Sequence, residues 1–217
     1  MKMQQTTTGE ADGVALSAEP GARPADEAVS ALRRVQRALL RGGGTTAALA
    51  DVAARLHALA DELETTAPPT EDRMAEMWQA TPPRHDPVTG PENPLAPPMR
   101  LHGRADGSVD GTTVLDLPYQ GPPGHVHGGV TALLLDHTLG TANAWAGTSG
   151  MTAELTLRYQ RPTPLFEPLE VAAHQVAVEG RRIRTSGTVS ARGRVCVRAE
   201  GVFVDKRLPK PRARVGP

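Results

Sequence analysis

The stretch GPPGHVHGGVTALLLDH, Gly121 to His137, decides how the rest of the chain must be arranged. A loop of glycine, proline and histidine ends in Gly128-Gly129. From there to about Ala146, residues Val130, Ala132, Leu133, Leu134, Leu135, Leu139, Ala142, Ala144 and Trp145 leave no wholly polar face. A helix that is apolar nearly all round belongs inside something. Yet two turns along it stands Asp136, and a carboxylate on a buried helix is costly unless it is paired, protonated or used. Its mid-helix position rules out a cap. His137 is its immediate neighbour and points about 100° away, so it does not share the face.

The segments after the helix can supply the wrapping. Met151 to Arg161 alternates Met151, Ala153, Leu155, Leu157 and Tyr159 against Thr152, Glu154, Thr156, Arg158 and Gln160. Leu169–Glu179, Arg182–Ala191 and Arg194–Val204 are further strand segments, separated by Glu179-Gly180 and Arg192-Gly193, both suited to hairpin turns. Before the helix, MRLHGRADGSVDGTTVLDLP (Met99 to Pro118) holds two short strands around Gly- and Asp-containing turns. The order is two strands, a buried helix, then four strand segments in an antiparallel meander. This order implies an α+β fold, a curved antiparallel sheet wrapped around a central helix.

The remaining chain divides by composition. Residues 1–25 offer little to bury and read as disordered. Residues 26–65 read as an α-helical hairpin. Val29, Leu32, Val35 and Leu39 recur at helical spacing, Gly42-Gly43-Gly44 stops that helix, and Thr45 or Thr46 caps the next. In the second helix Leu49, Val52, Leu56, Leu59 and Leu63 form a narrow stripe, suited to docking on its own domain, on a second copy or on another protein. Residues 66–91 begin a Pro-rich connector, with nine prolines between 66 and 98, which forbid a regular ladder; only Met74–Trp78 reads as helical. The sheet-and-helix domain is placed at 92–205 and a basic flexible tail at 206–217.

The 217 residues carry 24 basic and 24 acidic side chains, so no global field favours nucleic acid or a membrane surface. Aromatics at 3% argue against a base-stacking surface. The single Cys196 cannot form an internal disulfide, and no stretch has the character of a signal peptide or a membrane span. The chain reads as soluble and cytoplasmic, with no nucleic-acid or membrane partner.

Four stretches carry a resemblance: YQGPPGHVHGG (Tyr119 to Gly129), ALLLDHTLG (Ala132 to Gly140), GMTAELTLRYQRPTPL (Gly150 to Leu165) and VEGRR (Val178 to Arg182). Over about residues 90–205 the sequence resembles the hotdog-fold acyl-CoA thioesterases of the PaaI-like group, in particular the branch with an EGPPG-x-V-HGG loop. The resemblance implies a hotdog fold, an acyl-CoA substrate with a fatty or other acyl group, and no cofactor beyond the coenzyme A of the substrate itself.

Thioester hydrolysis needs a place for a developing oxyanion and a way to deliver water or a nucleophile. Gly128 and Gly129 sit at a helix N-terminus, where amides lack intrahelical partners and a carbonyl can come close; they equally let the chain turn into the helix. Asp136 can act as general base, or attack the thioester to give a mixed anhydride. Gly129 and Asp136 share a face but lie ~10 Å apart along the axis, so one helix struggles to bring both to one carbonyl. Two helices of a symmetric homo-oligomer can, with the active site at the dimer interface; the resemblance implies the same, with dimers often pairing into tetramers.

Thr152 is either a plain solvent-facing strand residue or, as the resemblance implies, the group that holds the carboxylate or its water. His127 either orients the loop or contacts the thioester, or its ring is structural and bonds backbone. Arg158, Arg181 and Arg182 match phosphate geometry. The resemblance places Arg158, Gln160, Arg181 and Arg182 along the nucleotide and pantetheine path. Two other readings stand beside this one: a hotdog hydratase or dehydratase, and a non-catalytic acyl-CoA-binding scaffold. A metal site built on His125, His127 and His137 lacks a fourth ligand, and none is expected.

Overall fold

The computed structural model describes residues 13–77 and 82–205. In chain order its elements are β1 (Val14–Ala15), α1 (Pro24–Leu40), α2 (Thr46–Glu64), α3 (Thr70–Glu76), β2 (Arg100–Gly103), β3 (Val109–Val114), α4 (Gly128–Trp145), β4 (Met151–Tyr159), β5 (Pro168–Glu179), β6 (Arg182–Ala191) and β7 (Arg194–Val204). A short 3-10 turn at Leu117–Tyr119 leads into the Gly-rich loop.

The strands form one seven-stranded antiparallel sheet in the order β1-β2-β3-β5-β6-β7-β4. Three of the four strands after the helix make the expected meander. β4 departs from it: instead of preceding β5 in space, it pairs with β7 at the far edge, while β5 pairs with β3. The Pro162 and Pro164 segment after Tyr159 is no tight turn, so the chain crosses the sheet instead of doubling back.

α4 lies across one face of the sheet and touches strands β2 to β7. Leu134, Leu135, Leu139 and Ala142 are fully buried there with Leu101, Val109, Leu169, Val171, Val189, Val197 and Phe203. Close approach depends on missing side chains: a Cβ on Gly187 would stand 3.1 Å from a Leu139 methyl, and one on Gly103 would run into the Trp145 ring at 2.4 Å. The helix is not enclosed all round, however. Gly129 and Leu133 are exposed and Asp136 is half-buried, so one face of α4 lacks a cover within the chain.

The segment before α1 corrects the disorder expected for residues 1–25, in so far as it is described; residues 1–12 lie outside the described residues. Val14 and Ala15 pair with His102 and Gly103, Leu16 N–H donates to Leu101 O at 2.9 Å, and the Ser17 hydroxyl accepts from Leu101 N–H at 3.1 Å. A two-residue strand borrows its order from the edge it completes, and so leaves no periodic signal. The basic tail from 206 onward lies outside the described residues.

The Pro-rich connector is likewise more than a spacer. Its helix is α3, Thr70–Glu76, shifted from Met74–Trp78; Trp78 lies outside the described residues. Asp86, Val88, Thr89, Ala96 and Met99 are buried. α1 is bolted to this layer by polar groups: Arg33 donates to the Asn93 and Ala96 carbonyls at 2.7 and 3.0 Å. Buried Asp26 accepts from Arg84 through both oxygens at 2.6 and 2.8 Å, and Arg84 Nε reaches Glu92 at 2.5 Å. The two expected helices of the hairpin are present, but α2 has no buried residue and does not lie back along α1.

Candidate active site

The loop YQGPPGHVHGG is held as a small scaffold. Gln120 and Val126 form a bridge, His125 bridges to Pro164, and His127 N–H donates to Tyr119 O at 2.9 Å. His127 is the N-cap of α4, and its Nδ1 accepts from Gly129 N–H at 3.0 Å. That side-chain cap is the role seen for His127, and it occupies one of the two amides expected to stand ready. Gly128 N–H has no partner among the described residues. The Tyr159 hydroxyl donates to Gly128 O at 2.9 Å, so the end of β4 fixes the helix start from the other side. Sequence reasoning passed over Tyr159; its place at the end of the alternating run of β4 was the signal available.

Two turns along α4, the Thr152 hydroxyl donates to Asp136 Oδ1 at 2.9 Å. Strict alternation would put Thr152 on the face opposite Leu155 and Leu157. The register of β4 against β7 shifts between Thr152 and Glu154, a bulge that takes up Ala153. One extra residue turns Thr152 onto the helix side. Thr152 is exposed, with its hydroxyl on the Asp136 carboxylate.

The remaining candidates separate to opposite ends of the sheet. Tyr159 pairs with Val197 and Met151 with Val204, which also pairs with Arg182. Gly128, Gly129, His127 and Gln160 thus gather at the Tyr159 end. Asp136, Thr152, Arg181 and Arg182 lie toward the Met151 end. Arg158 is exposed opposite Arg198. Arg181 folds back, donating from Nε and Nη2 to Asp205 O at 3.0 and 2.8 Å. A surface groove of about 430 Å³ opens beside Gly128, lined by His125, Tyr159, Gln160 and Arg161. Arg161 also borders an adjoining groove with Arg192 and Arg194. These three arginines were not singled out in the sequence, since a lone arginine in a turn carries no pattern.

His137 turns away from Asp136 into the connector. Its Nδ1 is 3.6 Å from Asp86 Oδ1 and its Nε2 3.5 Å from the Thr89 hydroxyl. The Asp86 carboxylate is already taken by Val88 N–H at 2.8 Å and Thr89 N–H at 3.0 Å. His125 Nδ1 lies on Pro123 O at 3.0 Å, so the three histidines of the metal alternative are committed to separate partners. Burial holds the His137 imidazole below its ordinary value, outweighing the opposing pull of Asp86 and Asp136. The unfolded chain then binds more protons than the folded one between the two values. Stability should fall as pH drops through about 6.5. We expect the urea midpoint of the wild type to fall between about pH 7.5 and about pH 5.5, and the fall to shrink in His137→Gln. An equal fall in both proteins would remove His137 as the cause.

Known proteins resemble this chain in both its parts. A family model described as thioesterase superfamily matches residues 123–197, and one described as the N-terminal helical domain of hypothetical protein RHA1_ro05818 matches residues 16–72. The crystal structure of protein RHA08564, a thioesterase superfamily protein, is 54% identical and superimposes with a TM-score of 0.83, covering 90% of this chain and 98% of that one. Acyl-coenzyme A thioesterase THEM4 of Mus musculus is 39% identical over 75 residues, 35% of this chain and 32% of that protein. THEM4 of Xenopus laevis is 39% identical over 70 residues, 32% of each. The chain spans about a third of the length of these curated relatives.

Proposed function

The chain belongs to the thioesterase superfamily, and from that premise we propose that it hydrolyses acyl-CoA thioesters as a homodimer, at sites shared between the two copies. The observation that carries this reading is the Thr152–Asp136 pair beside the unpaired edge of β4, with the helix N-terminus at the other end of the same strand. β4 ends the sheet, and nearly all its residues are exposed, Met151 and Tyr159 by half or more. Antiparallel pairing of β4 with itself about Leu155 sets the Met151 end of one copy against the Tyr159 end of the other. It also covers the open Leu133 face of α4. Asp136 and Thr152 of one copy then meet Gly128, Gly129 and His127 of the other. Arg181 and Arg182 come toward Gln160, Arg161 and the groove beside Gly128, the end where a CoA phosphate needs cations.

In this arrangement the thioester oxygen accepts from Gly128 N–H, and from Gly129 N–H once the His127 ring turns aside. Asp136 takes a proton from water, and the hydroxide adds to the carbonyl carbon. The tetrahedral adduct then collapses, the C–S bond breaks, and CoA leaves as thiol after taking up the proton. Direct attack by the carboxylate reaches the same products through a mixed anhydride, which water cleaves. Thr152 leaves one carboxylate oxygen free for either route and holds the other. A hydrogen bond to a charged group contributes about 1.5–3 kcal/mol, so Thr152→Val should lower kcat by at least about tenfold with little change in KM. Equal kcat would leave Thr152 a structural residue.

Free-thiol release from short, long and aromatic acyl-CoAs tests the proposal. Turnover of any member supports it and names the acyl class. Binding of CoA esters without turnover would instead favour the scaffold reading.

A further inference from the structure

α2 is nineteen residues long and buries none of them, although Leu49, Val52, Leu56, Leu59 and Leu63 run down one side; Leu59 and Leu63 are 52% and 62% exposed. α1 has a matching bare face. Arg33 and Arg37 turn inward to the connector and Asp116, while Leu32 and Leu39 on the far side are 46% and 43% exposed. Beside it, between α1 and the Leu117–Phe166 region, lies a groove of about 820 Å³ lined by Ala31, Arg34, Val35, Ala38 and Arg41. Phe166 stands at its wall, 60% exposed, with a backbone φ of +61° that bulky side chains rarely adopt.

We infer that this α1 face and groove receive α2 of a second copy, with each chain lending its α2 to the other. Charge supports the fit. α2 carries Asp51, Asp61, Glu62 and Glu64 against the single Arg55, and Glu62 and Glu64 border its stripe on opposite sides. Arg34 and Arg41 edge the groove and have no ion-pair partner among the described residues.

The chain's own α2 does not fill this groove. Gly42 N–H donates to Leu39 O at 2.9 Å and Gly43 N–H to Ala38 O at 3.0 Å, the paired bonds of a Schellman cap, with Gly42 at φ +74°. Five residues after Leu40, the Thr45 hydroxyl accepts from Ala48 N–H at 3.3 Å and caps α2. Both helix ends are closed by hydrogen bonds, and α2 runs off its own α1. Most helical stability in proteins comes from packing an apolar face rather than from propensity, so the bare leucine stripe of α2 calls for a partner of its own. Exchange of identical helices between two copies supplies one without opening the turn.

Cysteine pairing tests this in the full-length protein, where native Cys196 is buried. One chain carries Ala38→Cys, another carries Leu56→Cys, and the two are co-expressed with different tags and oxidised. We expect covalent dimers that hold both tags. Two outcomes overturn the inference: dimers linked only Leu56→Cys to Leu56→Cys, or no link at all. Leu59→Asp combined with Leu63→Asp changes only exposed positions, so the fold should persist. Introduced into both tagged chains, it should abolish the Ala38→Cys to Leu56→Cys link; a link formed in unchanged yield overturns the inference. Neither readout depends on hydrolysis, so failure here leaves the thioesterase reading untouched.

Discussion

Asp136→Asn is expected to lower thiol release by about 10²–10⁴-fold, the range a positioned acid or base contributes, while leaving CoA-ester binding within a few-fold of wild type. The amide matches the carboxylate in shape, and its oxygen can still accept from Thr152, whose hydroxyl is 2.9 Å from Asp136 Oδ1. Only the charge and the ability to take a proton or attack a carbonyl are lost. Asp136 is half-buried on the open face of α4, so the substitution removes no packing and the melting temperature should hold. Parallel loss of binding and turnover would mean that the residue shapes the pocket and does not act on the thioester. Full activity would move the chemistry elsewhere. The position of the group on a helix whose neighbours Leu134 and Leu135 are fully buried makes the isosteric change preferable to alanine.

How much of this was legible in the sequence depends on how far apart the deciding interactions lie. The α4 stretch announced itself because its pattern is local: a glycine pair, an apolar run and one carboxylate on a single helix. β5, β6 and β7 were readable for the same reason, since Gly180 and Gly193 sit at positive φ in the turns that join them. Failures came where distance or a single residue decides. The place of β4 beside β7 depends on pairing of residues as far apart as Met151 and Val204, which alternation alone does not specify. The direction of Thr152 hangs on one bulged residue, Ala153. The burial of Asp86 and Val88 depends on His137 and the core, not on the prolines that dominate their own segment. The hairpin was legible as two helices but not as a shape, because the caps at Gly42 and Thr45 set an angle that no periodicity encodes.

Two inactive variants, mixed, should recover activity. In the proposed dimer each site takes Asp136 from one chain and the helix start from the other, because the two groups lie at opposite ends of β4. Gly128→Val covers the open amide, since a Cβ there already stands 3.3 Å from the Tyr159 hydroxyl. Alone, Gly128→Val and Asp136→Asn each spoil both sites of a homodimer. A mixed dimer concentrates both defects in one site and leaves the other intact. With random association half of the dimers are mixed and half of their sites work, so activity should return to about a quarter of wild type. The gain is measured against nearly zero, which makes it large and hard to imitate. A site built within one chain gives no recovery at any mixing ratio, because every site then keeps one defect. Co-expression with two tags and purification through both selects the mixed species, and about half of wild-type activity is expected there. Recovery that follows the fraction of doubly tagged protein ties the chemistry to the shared interface; its absence in pure mixed dimers would return Asp136 and Gly128 to separate roles.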